Sequence, residues 1–304
     1  MNDYLSELVK TIRPLTLEGN VASYIPELSK VSQEKLGIYI TDLNGNEYKA
    51  GDCEDKFTIQ SISKVANYLF ALEENGYENM NKIIGFLPTV RGFNSILELD
   101  IENDHRPLNP FINAGAMVIL SQINGDDNGI KFERLRMFME KIMDSKLTLN
   151  EKVYLSEKET GDKNRALAYY MKSTGIIKND VEDLLDLYFK LCSIEVDCRD
   201  ISRFAAVLAN DGKSMKDGSR IIQEKNCRMT KAIMSNCGLY DASGEFAVRV
   251  GVPGKSGVGG GIMAVANKRM GIGVYGPSLD MRGNSIAGIK ILELLSEKLD
   301  LSMF

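Results

Sequence analysis

At 304 residues the chain lies near the upper limit for one hydrophobic core, so one large domain or two interlocked ones is expected. Its formal net charge of −5 argues against a nucleic-acid partner, because no cationic excess faces phosphate. A single histidine, His105, excludes a histidine-rich metal site and leaves a Ser-His-Asp triad only if that one residue serves it.

In chain order, Leu36 to Thr41, then Asp42-Leu43-Asn44-Gly45, then Glu47 to Gly51 predicts a β-hairpin, with Asn44-Gly45 supplying the positive φ of its turn. After Gln60 the pattern turns helical: Ile62, Val65, Leu69 and Leu72 share a face, and Gly76 is the expected stop. Leu135, Phe138, Met139 and Ile142 mark a further helix, with Met137-Phe138-Met139 expected to fill core. Asp162 to Met171, Asp180 to Cys192 and Asp200 to Asn210 predict three more, with Gly175 and Gly212 beyond two of the ends. Val258 to Ala266 and Met270 to Tyr275 predict an antiparallel pair joined by Asn267-Lys268-Arg269. A closing helix carries Ile286, Ile289, Leu292, Leu295 and Leu299 on one face. Strand runs segregated from helix runs predict an α+β fold. We expect an α/β subdomain from residues 1–64 and 211–304, an inserted helical subdomain from 65–210, and the active site between them.

Cys53, Cys192, Cys198, Cys227 and Cys237 are odd in number and never form Cys-x-x-Cys, which predicts reduced core thiols rather than disulfides or a zinc site. The first residues carry acids and no apolar core, and no apolar run approaches the ~18–20 residues that span a bilayer, so a cytoplasmic chain without a membrane partner is expected. His105 lies in the polar stretch Glu102 to Pro107 and reads as an ordinary loop histidine.

Ser61-Ile62-Ser63-Lys64 has a mechanical meaning. If the serine opens a helix, the lysine one turn on shares its face, and the helix N-terminus offers unpaired N–H groups to an oxyanion. The lysine accepts the serine proton only when neutral, which requires burial. The tetrapeptide alone is weak, since Ser32-Gln33-Glu34-Lys35 matches it in a polar stretch where the lysine would be solvated. Ser61 instead follows Phe57-Thr58-Ile59-Gln60 and precedes an apolar helix; a helix cap remains the alternative reading. Lys255-Ser256-Gly257 is read as opening the strand Val258-Gly259-Gly260-Gly261. Its glycines imply close approach of a backbone or ligand, with the Val258 N–H for an oxyanion and a cationic Lys255 nearby. No phosphate-binding glycine motif is present.

Five segments in order carry a closer likeness: Phe57 to Lys64, Asn109 to Ala116, Gly161 to Ala168, Cys237 to Phe246 and Lys255 to Gly261. Together they resemble the serine-dependent glutaminases from about residue 20 to the C-terminus. The resemblance implies a β-lactamase/DD-peptidase-like fold, an antiparallel sheet flanked by helices with an inserted all-α subdomain. It also implies hydrolysis of L-glutamine to L-glutamate and ammonia without metal or organic cofactor, by a homodimer or homotetramer. By position, Ser61 matches the nucleophile and Lys64 its proton acceptor. Tyr24, Asn113, Glu157, Asn164, Tyr188 and Tyr240 match glutamine-contacting residues, and Val258 matches the oxyanion amide; either Lys64 or the Tyr240 hydroxyl is expected to protonate the leaving ammonia. Glu159 is an alternative acid that only spacing disfavours. Two rivals are a serine acyltransferase acting on another amide or ester, such as a β-lactam, and a non-catalytic glutamine sensor.

Overall fold

Our computed structural model describes residues 1–89, 92, 94–96, 99 and 105–304. The apolar run of residues 36–41 forms β1 (Gly37–Asp42), which pairs antiparallel with β2 (Glu47–Gly51). In the turn, Gly45 has φ 84° while Asn44 keeps a negative φ. Asp42 closes it by accepting from the backbone N–H groups of Asn44 and Asn46, each at 2.9 Å.

Three later strands complete an antiparallel sheet of order β2-β1-β8-β7-β6: β6 (Gly254–Ser256), β7 (Gly261–Ala266) and β8 (Met270–Tyr275). Period-two alternation sends Ile38, Ile40, Ile262, Ala264, Ile272 and Val274 to one face and Tyr39, Met263, Val265 and Tyr275 to the other. The first face packs with α1 (Asn2–Ile12) and α11 (Ile286–Leu299), whose Leu5, Leu8, Ile291 and Leu295 are buried with it. The second receives α8 (Cys198–Ala209), which lies flush on β8. A Cβ on Gly271 would stand 2.1 Å from the Ala206 nitrogen, and one on Gly273 would stand 2.2 Å from the Cys198 carbonyl oxygen. The helix begins two residues before Asp200 because Asp197 and Asp200 form a reciprocal capping box.

Residues between strands β3 (Phe57–Thr58) and β5 (Ile194–Val196) are mostly helical: α2 (Ser63–Asn81), α3 (Asn113–Ser121), α4 (Asn128–Met143), α5 (Glu151–Thr160), α6 (Asp162–Ser173) and α7 (Val181–Cys192). A short β4 (Thr148–Leu149) joins β3 and β5 in the order β3-β5-β4. Beyond α8, α9 (Glu224–Cys237) packs on α2, and α10 (Ser243–Arg249) follows.

Three expectations change. Gly76 takes φ 73° and breaks the helical path, but a further helical turn carries α2 to Asn81. Met137 is 61 % exposed, because its neighbour Met139 holds the core-facing position of α4. The run from Val258 is no single strand: β6 ends at Ser256, residues 257–260 turn with Gly260 at φ 96°, and β7 starts at Gly261. Glu102, Asn103 and Asp104 lie outside the described residues. His105 is half-buried, with its ring edge-on to Tyr170.

Candidate active site

The approach to Ser61 is built by backbone contact between two distant segments. Gln60 has φ 49°, a left-handed conformation for a side-chain-bearing residue, and opens a 3-10 turn through Ile62 that leads into α2. The turn after β6 lies directly on this segment. A Cβ on Gly259 would come within 2.6 Å of the Thr58 carbonyl oxygen, and one on Gly257 within 3.4 Å of the Ser61 nitrogen. Glycine there lets the turn carrying Val258 lie against residues 58–61, which is the close approach its glycines implied.

Lys64, one turn beyond Ser61, is 1 % exposed. Its amine donates to Asn113 Oδ1 at 2.6 Å at the start of α3, and Asn113 Nδ2 donates to Asn164 Oδ1 at 2.8 Å in the first turn of α6. Burial pulls the amine down to about 8, against the opposing influence of Cys192 and Glu157. At pH 7 roughly one Lys64 in ten is therefore neutral. The rival copy behaves oppositely: Ser32 is exposed, and Lys35 is ion-paired with Asp55 at 2.7 Å at the surface.

Glu157, on α5, is 5 % exposed and accepts from Gln60 Nε2 at 2.8 Å. Burial raises its carboxyl to about 7, with the Gln60 hydrogen bond and the charge of Lys64 holding it lower than burial alone would. Its neighbour Glu159 is exposed. Tyr188 on α7 is buried, and desolvation pushes its phenol well up. Tyr24 leaves 53 % of its surface to solvent, yet burial around its hydroxyl, with Glu157 nearby, also raises that phenol. These side chains line one cavity of about 330 Å³ with Gln60, Ser61, Asn113, Asn164 and Cys192. Val258 lines an adjoining cleft of about 740 Å³ that shares Tyr24.

Tyr240 sits at φ 56° beside Ser61, fully buried, its phenol pushed up by burial and held lower by a hydrogen bond with Ser61. Lys255 lies behind it in turn. Its amine donates to the carbonyls of Gly238 at 2.8 Å and Ser256 at 2.7 Å, 4.1 Å from the Tyr240 ring centroid. Full burial lowers Lys255 well below an ordinary lysine, so the cation expected beside the oxyanion is instead a disfavoured charge bound to carbonyls.

The glutaminase family profile matches residues 19–304. A glutaminase of Clostridium botulinum (strain Loch Maree / Type A3) is 53 % identical, with both chains covered in full. The chain belongs to the glutaminase family. A glutaminase 2 of Clostridium perfringens is 52 % identical over the whole of both chains. A Bacillus glutaminase crystallised in 4.3 M NaCl superposes with a TM-score of 0.93 at 37 % identity, over 99 % of each chain. A Bacillus subtilis glutaminase in covalent complex with 5-oxo-L-norleucine, formed by reaction with 6-diazo-5-oxo-L-norleucine, gives 0.90 at 36 % identity, over 100 % of this chain and 99 % of that one. The fold is accordingly the α+β, β-lactamase-like arrangement of this family.

Within this glutaminase fold, Gln60 and Cys192 are among the cavity residues to which the sequence reading gave no role. Gln60 was quoted within a motif, but nothing in the sequence marks its left-handed backbone or its bond to Glu157. Cys192 read as core thiol and is one, although it also forms part of the cavity wall. All five cysteines are buried free thiols.

Proposed function

We propose that this chain hydrolyses L-glutamine to L-glutamate and ammonia through a γ-glutamyl ester on Ser61. The observation that carries the reading is the fully buried Lys64 amine, one helical turn beyond Ser61 and bonded to Asn113, where Ser61 and Asn113 both line the cavity of about 330 Å³. A neutral amine keeps a lone pair for the serine proton while giving one N–H to Asn113. Lys64 takes that proton as Oγ attacks the side-chain amide carbon. The backbone N–H groups of Ser61 and Val258 hold the oxyanion. The C–N bond then breaks as Lys64 or the Tyr240 hydroxyl supplies a proton and ammonia leaves. Water, giving its proton to Lys64, hydrolyses the ester and restores Ser61.

The remaining polar groups suit the rest of the ligand. Glu157 matches the α-ammonium as the buried carboxylate of the cavity wall. Asn164 accepts from Asn113 through Oδ1, which leaves its N–H₂ to donate to a carboxylate, and the hydroxyls of Tyr24 and Tyr188 complete the wall. Ser61→Ala is expected to lower turnover by roughly 10⁴-fold or more while leaving the fold intact. Ammonia and glutamate measured together, with L-asparagine as control, provide the check; activity near wild type in that variant would remove the mechanism. The same reading takes the protein as cytoplasmic and as a homodimer or homotetramer. Buried free thiols support the first, and cell fractionation and light scattering test the pair.

A further inference from the structure

Gln60 has no part in the chemistry above, yet three parts of the site meet on it. It is 3 % exposed and lines the cavity beside Ser61. Its Nε2 donates to Glu157 Oε1 at 2.8 Å and to Thr58 Oγ1 at 3.2 Å, so both amide hydrogens are used. Its stem lies along the turn after β6: a Cβ on Gly257 would stand 3.2 Å from Gln60 Cβ, and one on Gly259 would stand 3.4 Å from Gln60 Cγ. Its backbone, at φ 49°, leads directly into Ser61. A residue with a side chain holds that conformation only where its surroundings fix it. Here bonds fix it from both sides. The Ile59 N–H donates to the Ile194 carbonyl at 2.8 Å, and the Ser63 hydroxyl donates to the Gln60 carbonyl at 2.7 Å.

The kind of donor matters as much as its place. A buried carboxylate stays ionised only where hydrogen bonds or opposite charge support it. A lysine or arginine in that role would cancel its charge and leave nothing for a cationic ligand. A glutamine amide satisfies one carboxylate oxygen and leaves the negative charge in place. We propose that Gln60 is a positioning residue: it holds Glu157 as an unneutralised receptor for the α-ammonium of glutamine and fixes that receptor's place relative to Ser61. The proposal rests on the glutaminase reading above and adds to it a residue that acts through Glu157. One side chain thereby joins the anchor of the ligand's charged end to the backbone that carries the nucleophile.

Gln60→Met keeps an unbranched stem and removes both N–H groups. KM for L-glutamine is expected to rise roughly 10-fold or more while kcat stays within about 3-fold, since the turn and the nucleophile keep their packing. A loss lying mainly in kcat overturns the proposal, because Gln60 would then support Ser61 alone. The second arm is a double-mutant cycle with Glu157→Gln. In that background Gln60→Met is expected to lower kcat/KM by less than about 3-fold, because the charge it serves is gone; an equal loss in both backgrounds overturns the proposal. If Gln60→Met fails to fold, Gln60→Gly adopts φ 49° without strain and carries the same cycle. Failure of both to fold makes Gln60 a structural residue and overturns the proposal as well. Absence of ammonia from wild-type enzyme and L-glutamine would sink the glutaminase reading instead, so the two failures are separable.

Discussion

Burial sets the chemistry of individual residues here, and its cost shows in stability. A lysine whose folded pKa is about 8 against an ordinary 10.5 destabilises the fold wherever the unfolded chain is protonated and the folded one resists it. Below pH 8 that cost is fully present, and it fades as pH rises from 8 toward 10.5. Lys64→Met should therefore abolish activity yet raise stability at pH 7 by about 1–3 kcal/mol, with the gain shrinking above about pH 8. Denaturant melts at pH 7 and pH 10 measure this, and an equal gain at both would refute it. Glu157 has the opposite sign: raised from 4.5 to about 7, it withdraws stability as pH climbs through that window. Glu157→Gln keeps the shape and removes this slope, and it is expected to weaken glutamine by roughly 10²-fold in kcat/KM.

At the level of elements, the decisive contact joins the turn after β6 to the 3-10 turn before α2. Gly259→Ala would press a methyl against the Thr58 carbonyl, where neither backbone gives way cheaply. We expect a loss of about 1–3 kcal/mol and a fall in kcat exceeding any rise in KM, because Val258 moves with the turn. Kinetics with thermal melts test it; unchanged kcat would detach Val258 from the chemistry. Helices α6 and α7, the β1–β2 hairpin and β8 were legible because their apolar periods are long and their flanking signals clear. The start of α8 was missed because Asp197 and Asp200 compete for the cap, and only the reciprocal bond decides between them. The β6–β7 boundary was invisible for another reason. Val258 to Gly261 reads as apolar, and what bends it is contact with residues 58–61, far away in sequence.

Across the whole molecule, the site draws on α2, α3, α5, α6, α7 and the sheet edge at β6, while the apolar residues divide between two buried clusters on either side of the sheet. Ser61, Lys64 and Asn113 were singled out as candidates because their segments come in the order of the resemblance, and Glu157 by its spacing. Their cooperation could not, since the Lys64–Asn113–Asn164 chain spans three helices whose packing no local pattern encodes. A ligand that touches so many elements should stabilise them together. At one hundred times its Kd it is expected to add about 2.7 kcal/mol and to shift one cooperative transition rather than split it. Calorimetric scans with L-glutamate test this, and two separate transitions would argue against the coupling.

The amide of Asn113 also keeps the partner of Lys64 neutral. Asn113→Asp replaces its N–H₂ with oxygen, a change of almost no volume, and puts a carboxylate where Lys64 now finds a neutral acceptor. The amine would then be held as a cation, and Asn164 would lose the donor that orients it. That variant is expected to melt earlier, because two oxygens would face each other where Asn113 now donates to Asn164, while its working range moves to more alkaline pH.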